Sequence, residues 1–380
     1  MKKKIPLDQI KPGASFTEDV FIDDQNLLVP AGVAVKQKDL DMLQKWGVAF
    51  VFTEGTQIAG TASSPDSPRS DGVNPAAFLG DRDLYRAYTE MVDMLKAVYD
   101  RLARLERVEP KTVDQISQDV LRVVRDKQSR AVAAILSGDM QGYSYARAGV
   151  NTAILSVVIG ATLKLPPYRL SYLATGALLH DAGMLRIPEA IVRKKGHLSE
   201  EELQKMRAHP LLTYKIITKE LLYPDDVGII GLQHHERWDG QGYPRRVAGQ
   251  DIDILSRIVS VADAFEAMVS EKPYRNSMIG YAAMKALLSD NSRRFDPEIL
   301  KAFIRSMGIY PIGSMVLLNN AAIARVVETH PDAPLRPKLR ILVDEFGKSY
   351  ADDKGDLVDL LAEKALFVAR ALDPKEVASG

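Results

Sequence analysis

An aspartate in the middle of an apolar helix constrains this chain more than any other feature. Leu255 to Val269 reads as one helix, and Asp263 sits in it among Val259, Val261, Ala262, Phe265 and Met268. A helix apolar around its acid belongs in a core. A carboxylate carried there must meet a cation or a salt-bridge partner, because burying a lone charge is very costly. A second acid is placed in a similar way. The apolar helical segment Leu173 to Leu179 runs straight into His180 and Asp181. Taken alone, that pair also fits a satisfied core histidine beside a helix-terminal aspartate.

Other histidines shift the balance toward a cation. His209 precedes Pro210, which suits the first turn of a helix. A helix from Asp226 to Glu236 carries His234 and His235 at its end, followed by Asp239-Gly240-Gln241-Gly242-Tyr243-Pro244. Four of the six histidines therefore fall in one segment, joined by two aspartates. The chain has no cysteine, so any metal must take imidazole and carboxylate, a set that suits Fe, Mn or Zn. Two cations sharing a carboxylate can polarise a phosphoryl oxygen and activate water for in-line attack. His197 lies in the polar run Lys194-Lys195-Gly196 and reads as a solvated loop residue, and His330 reads as structural or exposed.

The remainder of the chain supplies context. Lys plus Arg equals Asp plus Glu at 50 each, so the broad positive field of a nucleic-acid-polymer binder is absent. The basic start Met1-Lys2-Lys3-Lys4 is not followed by an apolar run, and the best apolar stretch, Ala153 to Leu165, is short and carries Lys164. The expectation is a cytoplasmic protein with no membrane span.

Residues 5–55 read as a small α/β unit, with strands at Val20-Phe21-Ile22, Leu27-Leu28-Val29 and Ala49-Phe50-Val51-Phe52 and a helix near Gln37 to Trp46. A Gly/Ser/Pro/Asp-rich linker follows. Helices are expected from Asp81 to Ala103 and from Val113 to Val124. They either pair with a second copy in a homodimer or pack on the chain's own core. After Gly308 strands are expected at Ser314–Leu318, Ala324–Val327 and Leu339–Val343. The resulting division is 1–55, a linker over 56–80, a helical connector over 81–140, a metal-binding domain over 141–308 and a C-terminal β/helical appendix over 309–380. The fold class is mainly α.

At these residues the chain resembles the HD-GYP family of HD phosphohydrolases. The matching pieces are His180-Asp181-Ala182-Gly183, Ile187-Pro188, Lys195-Gly196-His197-Leu198-Ser199-Glu200-Glu201, His209-Pro210, His234-His235-Glu236-Arg237-Trp238-Asp239-Gly240-Gln241-Gly242-Tyr243-Pro244, Ala262-Asp263-Ala264-Phe265, Lys272-Pro273-Tyr274-Arg275 and Phe295-Asp296-Pro297. The resemblance implies an HD-type helical bundle and two divalent metal ions, Fe or Mn with Zn also admitted. It implies hydrolysis of the bacterial second messenger cyclic di-GMP to pGpG or GMP, with GGDEF-type signalling proteins among the partners. It assigns His180, Asp181, His209, His234, His235 and Asp263 as ligands, with Asp181 as the bridge. Asp181 and Tyr243 become catalytic residues, and Lys272, Arg275 and Tyr243 substrate-binding ones.

Three positions depart from the family pattern. Ala148 stands where a ligand histidine is usual, Ser144 where some members carry a third-metal glutamate, and Met184 where a lysine follows the His-Asp pair. One metal position keeps Asp181, His209, His234 and His235, and the other keeps His180, Asp181 and Asp263. The readings are therefore an impaired or slow cyclic di-GMP phosphodiesterase, a receptor or scaffold that binds without cutting, and a hydrolase of another phosphoester.

Overall fold

The computed structural model describes residues 3–10, 14–18, 20, 21, 27–29, 35, 40, 50–58, 81–136, 144–194, 196–270, 280–290, 293–350 and 354–372. It divides into two units, Met1–Arg69 and Ser70–Gly380. In the first, β1 (Lys3–Pro6), β3 (Val20–Phe21), β4 (Leu27–Val29) and β5 (Phe50–Thr53) form an antiparallel sheet in the order β1-β5-β3-β4. A two-stranded ladder joins β2 (Ser15–Phe16) to β6 (Gln57–Ile58). Phe16, Val20, Val35 and Val51 are fully buried in its core. The helix expected near Gln37 to Trp46 and most of the linker lie outside the described residues.

The second unit begins with two antiparallel helices. In α1 (Arg82–Ala103), Leu84, Tyr88, Met91, Leu95, Val98 and Leu102 recur at helical spacing and are all buried. The next helix, α2, spans Pro110–Leu136, longer than Val113 to Val124. Lys127 breaks its geometry (φ −142°, ψ 29°). The helix resumes because the apolar run Ala131–Ile135 is buried beyond the break. Both helices pack on the chain's own core. Their apolar faces share one cluster with Val150, Leu178 and Phe265, and Tyr99 donates to the Leu178 carbonyl at 2.6 Å.

Asp81 ties the two helices together. It caps α1 by accepting from the Leu84 amide at 3.0 Å and pairs with Lys127 at 2.7 Å and Arg130 at 2.8 Å. These bonds, chiefly those from Lys127 and the Leu84 amide, hold its carboxyl well below the usual range. A depressed folded-state value means the stabilisation is complete above about pH 4 and drains away as pH falls below that. Asp81→Ala is expected to cost about 1–2 kcal/mol, the cap and a half-exposed ion pair together. Asp81→Asn keeps the cap and costs less. Urea unfolding at pH 7 and pH 3 checks this: the gap between wild type and Asp81→Asn should shrink at the lower pH.

The bundle continues with α3 (Tyr145–Thr162), α4 (Pro167–Leu179), the short α5 (Glu189–Val192), α6 (Glu200–Met206) and α7 (His209–Lys215). Then come α8 (Asp225–Gln233), α9 (Ile254–Val269), α10 (Gly280–Ser289) and α11 (Pro297–Met307). Missing side chains let three of these approach closely. A Cβ on Gly176 of α4 would meet Ile230 of α8, and one on Gly231 would meet the Thr213 methyl of α7 at 2.3 Å.

After α11 the expected strands appear as β7 (Met315–Leu318), β8 (Ile323–Glu328) and β9 (Lys338–Val343), joined by β10 (Leu357–Asp359) and β11 (Val368–Leu372). The order is β10-β9-β8-β7-β11, antiparallel throughout. Ala324 and Val326 of β8 are buried and alternate with half-buried neighbours, the period of a strand with one core face. No helix occurs among the described residues of this segment, although the sequence left room for one. No helix among the described residues is long and apolar enough to cross a membrane.

Candidate metal centre

The six ligand candidates converge on one another. Helix α4 ends at His180, and Asp181 follows as the chain turns. His209 opens α7, His234 closes α8, and Asp263 projects from the middle of α9. The turn after Asp181 is clamped to α7 through Thr213. Its hydroxyl accepts from the Gly183 amide at 2.9 Å and donates to the His180 carbonyl at 3.1 Å. Only glycine fits at 183, since a Cβ there would lie 2.1 Å from the His209 carbonyl oxygen.

Three imidazoles are oriented by one device. The Nδ1 of His180, His209 and His234 lies 2.7, 2.8 and 2.7 Å from the carbonyl three residues earlier, those of Ala177, Met206 and Gly231. Donation to a carbonyl fixes the tautomer and turns the Nε2 lone pair inward, the arrangement of a histidine that ligates through Nε2. His180 Nε2 is buried, 3.7 Å from Asp181 Oδ2 and 3.5 Å from Asp263 Oδ1. His209 Nε2 and His234 Nε2 face each other at 3.5 Å.

Asp181 stands between two groups. Its Oδ1 lies 3.3 Å from His209 Nε2 and 3.6 Å from His234 Nε2, while its Oδ2 lies 3.7 Å from His180 Nε2. Asp263 Oδ1 is 3.5 Å from the same His180 nitrogen. Ligand atoms of Asp181, His209, His234 and His235 all fall within 4.8 Å of one another. No lysine or arginine among the described residues pairs with Asp263; its ion-pair partner there is His180. Four imidazoles and two carboxylates converge here, and this donor set fits divalent cations.

The electrostatics agree. Burial presses the His180 imidazolium downward, but the Asp181 and Asp263 carboxylates outweigh it and lift the group to about 9. Burial works against the Asp181 charge as well, yet His180, His209 and His234 hold its carboxyl well below the ordinary range. Burial, reinforced by His234 and His209, keeps His235 neutral and its lone pair free. The two carboxylates favour a positive charge between them, carried by the His180 proton where no cation is held.

The cluster opens into a cleft of about 1590 Å³, lined among others by Asp181, Met184, His209, His235, Tyr243 and Asp263. The Tyr243 ring packs on His235 at 4.8 Å. Gly242 lets this turn close, because a Cβ there would meet the Arg237 amide nitrogen at 2.4 Å. Ser144 and Met184 line the cleft, and Ala148 is buried on α3. Lys272 and Arg275 lie outside the described residues. His197 is exposed, and His330 binds Asp359 at 2.9 Å, far from the cluster in sequence. Thr213 carries no sequence signal, because its task comes from the missing Cβ at position 183.

A family model described as HD domain matches residues 91–299, more than half of the chain. This chain belongs to the HD domain family. Within it, the His180-Asp181 pair and the Gly242-Tyr243-Pro244 turn mark an HD-GYP protein. The HD match begins inside α1, in keeping with the shared core of α1, α2 and the helices that follow. A second model, a KOW domain associated with HD domains, matches residues 315–380, which include the C-terminal sheet. Among relatives of this HD protein, the cyclic di-GMP phosphodiesterase PdeB of Borreliella burgdorferi is 25% identical over 94% of this chain and 92% of its own length. A cyclic di-GMP phosphodiesterase of Pseudomonas aeruginosa is 30% identical over 62% of this chain and 56% of its own length. A solved HDG"Y"P protein from Bdellovibrio bacteriovorus covers 80% of this chain and 98% of its own, with 16% identity and a TM-score of 0.49.

Proposed function

We propose that this HD protein is a metal-dependent phosphodiesterase that hydrolyses cyclic di-GMP to pGpG or GMP. The single observation that carries the reading is the placement of Asp181, whose two oxygens face two separate ligand groups. One group is Asp181 Oδ1 with His209, His234 and His235. The other is Asp181 Oδ2 with His180 and Asp263. Bound cations would supply Lewis-acid polarisation of a phosphoryl oxygen and activation of water. The residues themselves position the centre. Carbonyls behind His180, His209 and His234 lock their rings, and Thr213 holds the Asp181 turn against α7. The cleft exceeds the usual range of small-molecule pockets, about 300–1,000 Å³, and so has room for a dinucleotide. The relatives that act on cyclic di-GMP by name support the substrate.

Met184 and Ala148 favour a second reading, a receptor that binds cyclic di-GMP without cutting it. Met184 lines the cleft with no charge to offer an anion, and its position lacks a contact whose loss costs roughly 10²–10³-fold in rate at a comparable site. Incubation of Mn- or Fe-loaded protein with cyclic di-GMP, with linear products followed by chromatography, separates the two. Turnover supports the enzyme. Binding without product, in protein shown to carry metal, supports the receptor. Ala148→His combined with Met184→Lys is expected to raise kcat/KM at least about tenfold by restoring a ligand and a charge. An unchanged rate with unchanged metal content would argue that the scaffold is built for binding alone.

A further inference from the structure

We infer that Arg207 and Arg294 form a second phosphate subsite beside Tyr243, which holds the phosphodiester of the cyclic dinucleotide that is not being cut. This rests on the reading of the cleft as a cyclic dinucleotide site and goes beyond it by naming what binds the other half of the ligand. The argument starts from the ligand's chemistry. A cyclic dinucleotide carries two phosphodiesters on one ring, each with a full negative charge. When one of them reaches the cations at Asp181, the other remains in the cleft and needs its own counter-charge.

The structure offers one beside Tyr243. The Arg207 guanidinium caps the Tyr243 ring at 5.6 Å from its centroid. Arg294 lines the cleft with its guanidinium 4.9 Å from the centroid of the buried Phe295 ring. Arg294 and Tyr243 line the same cleft, and Arg207 stands over the Tyr243 ring. His235 packs on the Tyr243 ring and Arg207 lies over it. The Tyr243 hydroxyl, which makes no hydrogen bond among the described residues, is the group it can offer to a phosphate oxygen.

Two further observations set these arginines apart. Arg193 and Lys194, which line the cleft with Arg294, are held by Glu189 at 2.8 Å and Glu202 at 2.6 Å. Arg207 and Arg294 hold no carboxylate among the described residues. Both are also mounted on the backbone of the metal centre. Arg207 lies one residue after Met206, whose carbonyl orients His209. The Arg294 carbonyl accepts from the Trp238 amide at 3.1 Å, and the Arg293 carbonyl accepts from the Asp239 amide at 2.9 Å. The segment carrying Arg294 is thereby stitched to the loop that carries Tyr243. Guanidinium is the side chain best matched to a phosphodiester, because its planar fork can donate two parallel bonds.

The test compares wild type, Arg207→Gln, Arg294→Gln and the double variant, each loaded with Mn and assayed for metal content. The ligands are cyclic di-GMP, with two phosphodiesters, and GMP, with one phosphate. Affinity is read as KM where cyclic di-GMP is turned over and as Kd where it only binds. Each single variant is expected to weaken cyclic di-GMP about tenfold and the double about a hundredfold, the scale of one charge-assisted contact per arginine. The preference for cyclic di-GMP over GMP should fall with it, while metal content holds and kcat moves little. Arg294→Lys should recover part of the loss, since it keeps charge without the fork. Equal affinity for cyclic di-GMP in wild type and double variant, or an equal loss for both ligands, overturns the subsite and leaves the functional reading intact. Wild-type protein that carries metal but neither binds nor cuts cyclic di-GMP overturns that reading, and the subsite with it.

Discussion

Asp181→Ala is expected to strip the protein of nearly all bound divalent metal and to lower cyclic di-GMP hydrolysis by about 10³-fold or more, the scale of losing a principal charge-stabilising group. The reason is the geometry of one carboxylate. Oδ1 is shared with His209 and His234, and Oδ2 faces His180, so a single substitution removes an anionic ligand from both positions. Among the described residues the ion pair of Asp263 is with His180. Asp263→Ala should therefore empty one position and leave the cation held by Asp181, His209, His234 and His235. His197→Ala, at an exposed site in a loop, should change neither metal nor rate. Metal analysis of the three variants, purified without chelator, checks the series, and circular dichroism confirms that each is folded. Equal metal contents in Asp181→Ala and His197→Ala would refute the assignment of the centre.

The two aspartates of this series were legible in the sequence because they break local rules. An acid inside an apolar helix, as at Asp263, and a His-Asp pair at the end of another have no inexpensive explanation in a core. Strands were legible at 315–343 because short runs rich in Val, Ile and Leu are separated there by the turn-prone Pro331-Asp332-Ala333-Pro334. What stayed hidden depends on contacts distant in sequence. Leu357–Asp359 is three residues long with an exposed leading residue, too short for any pattern. The second half of α2 was obscured by the break at Lys127, and only packing of Ala131–Ile135 restores the helix beyond it. Whether α1 and α2 face a partner or their own core is undecided by periodicity, because an amphipathic face looks the same either way. The core contacts of Tyr88, Leu95 and Tyr99 decide for the chain itself. Arg207 is an ordinary residue 36 positions before Tyr243, and only the fold lays one over the other.

Gly183 shows how closely the metal centre depends on a contact that no ligand makes, and its substitution carries the second large effect. A Cβ at this position would sit 2.1 Å from the His209 carbonyl oxygen and 2.7 Å from the Thr213 amide nitrogen. Both obstacles are backbone, so no side-chain rotation relieves them. The turn and α7 must move apart. That movement breaks the bond from the Gly183 amide to Thr213 Oγ1 and draws His209 away from Asp181, which it approaches at 3.3 Å. Overpacking of this kind costs about 1–3 kcal/mol, and the lost hydrogen bond adds about 1 kcal/mol. Gly183→Ala is therefore expected to lower stability by roughly 2–4 kcal/mol, which at about 2–4 °C per kcal/mol for a domain of this size gives a visible drop in Tm. It should also weaken the cation at the His209 position more than the one beside Asp263. Thr213→Val supplies the control. It removes the hydroxyl that joins Gly183 to the His180 carbonyl but inserts no atom between the turn and α7, so it should lose stability with a smaller effect on metal. Thermal melts with and without Mn, together with metal titrations of both variants, separate the clamp from the clash. Should Gly183→Ala melt and bind metal like wild type, close approach of the His-Asp turn to α7 would not be what sets the ligand geometry.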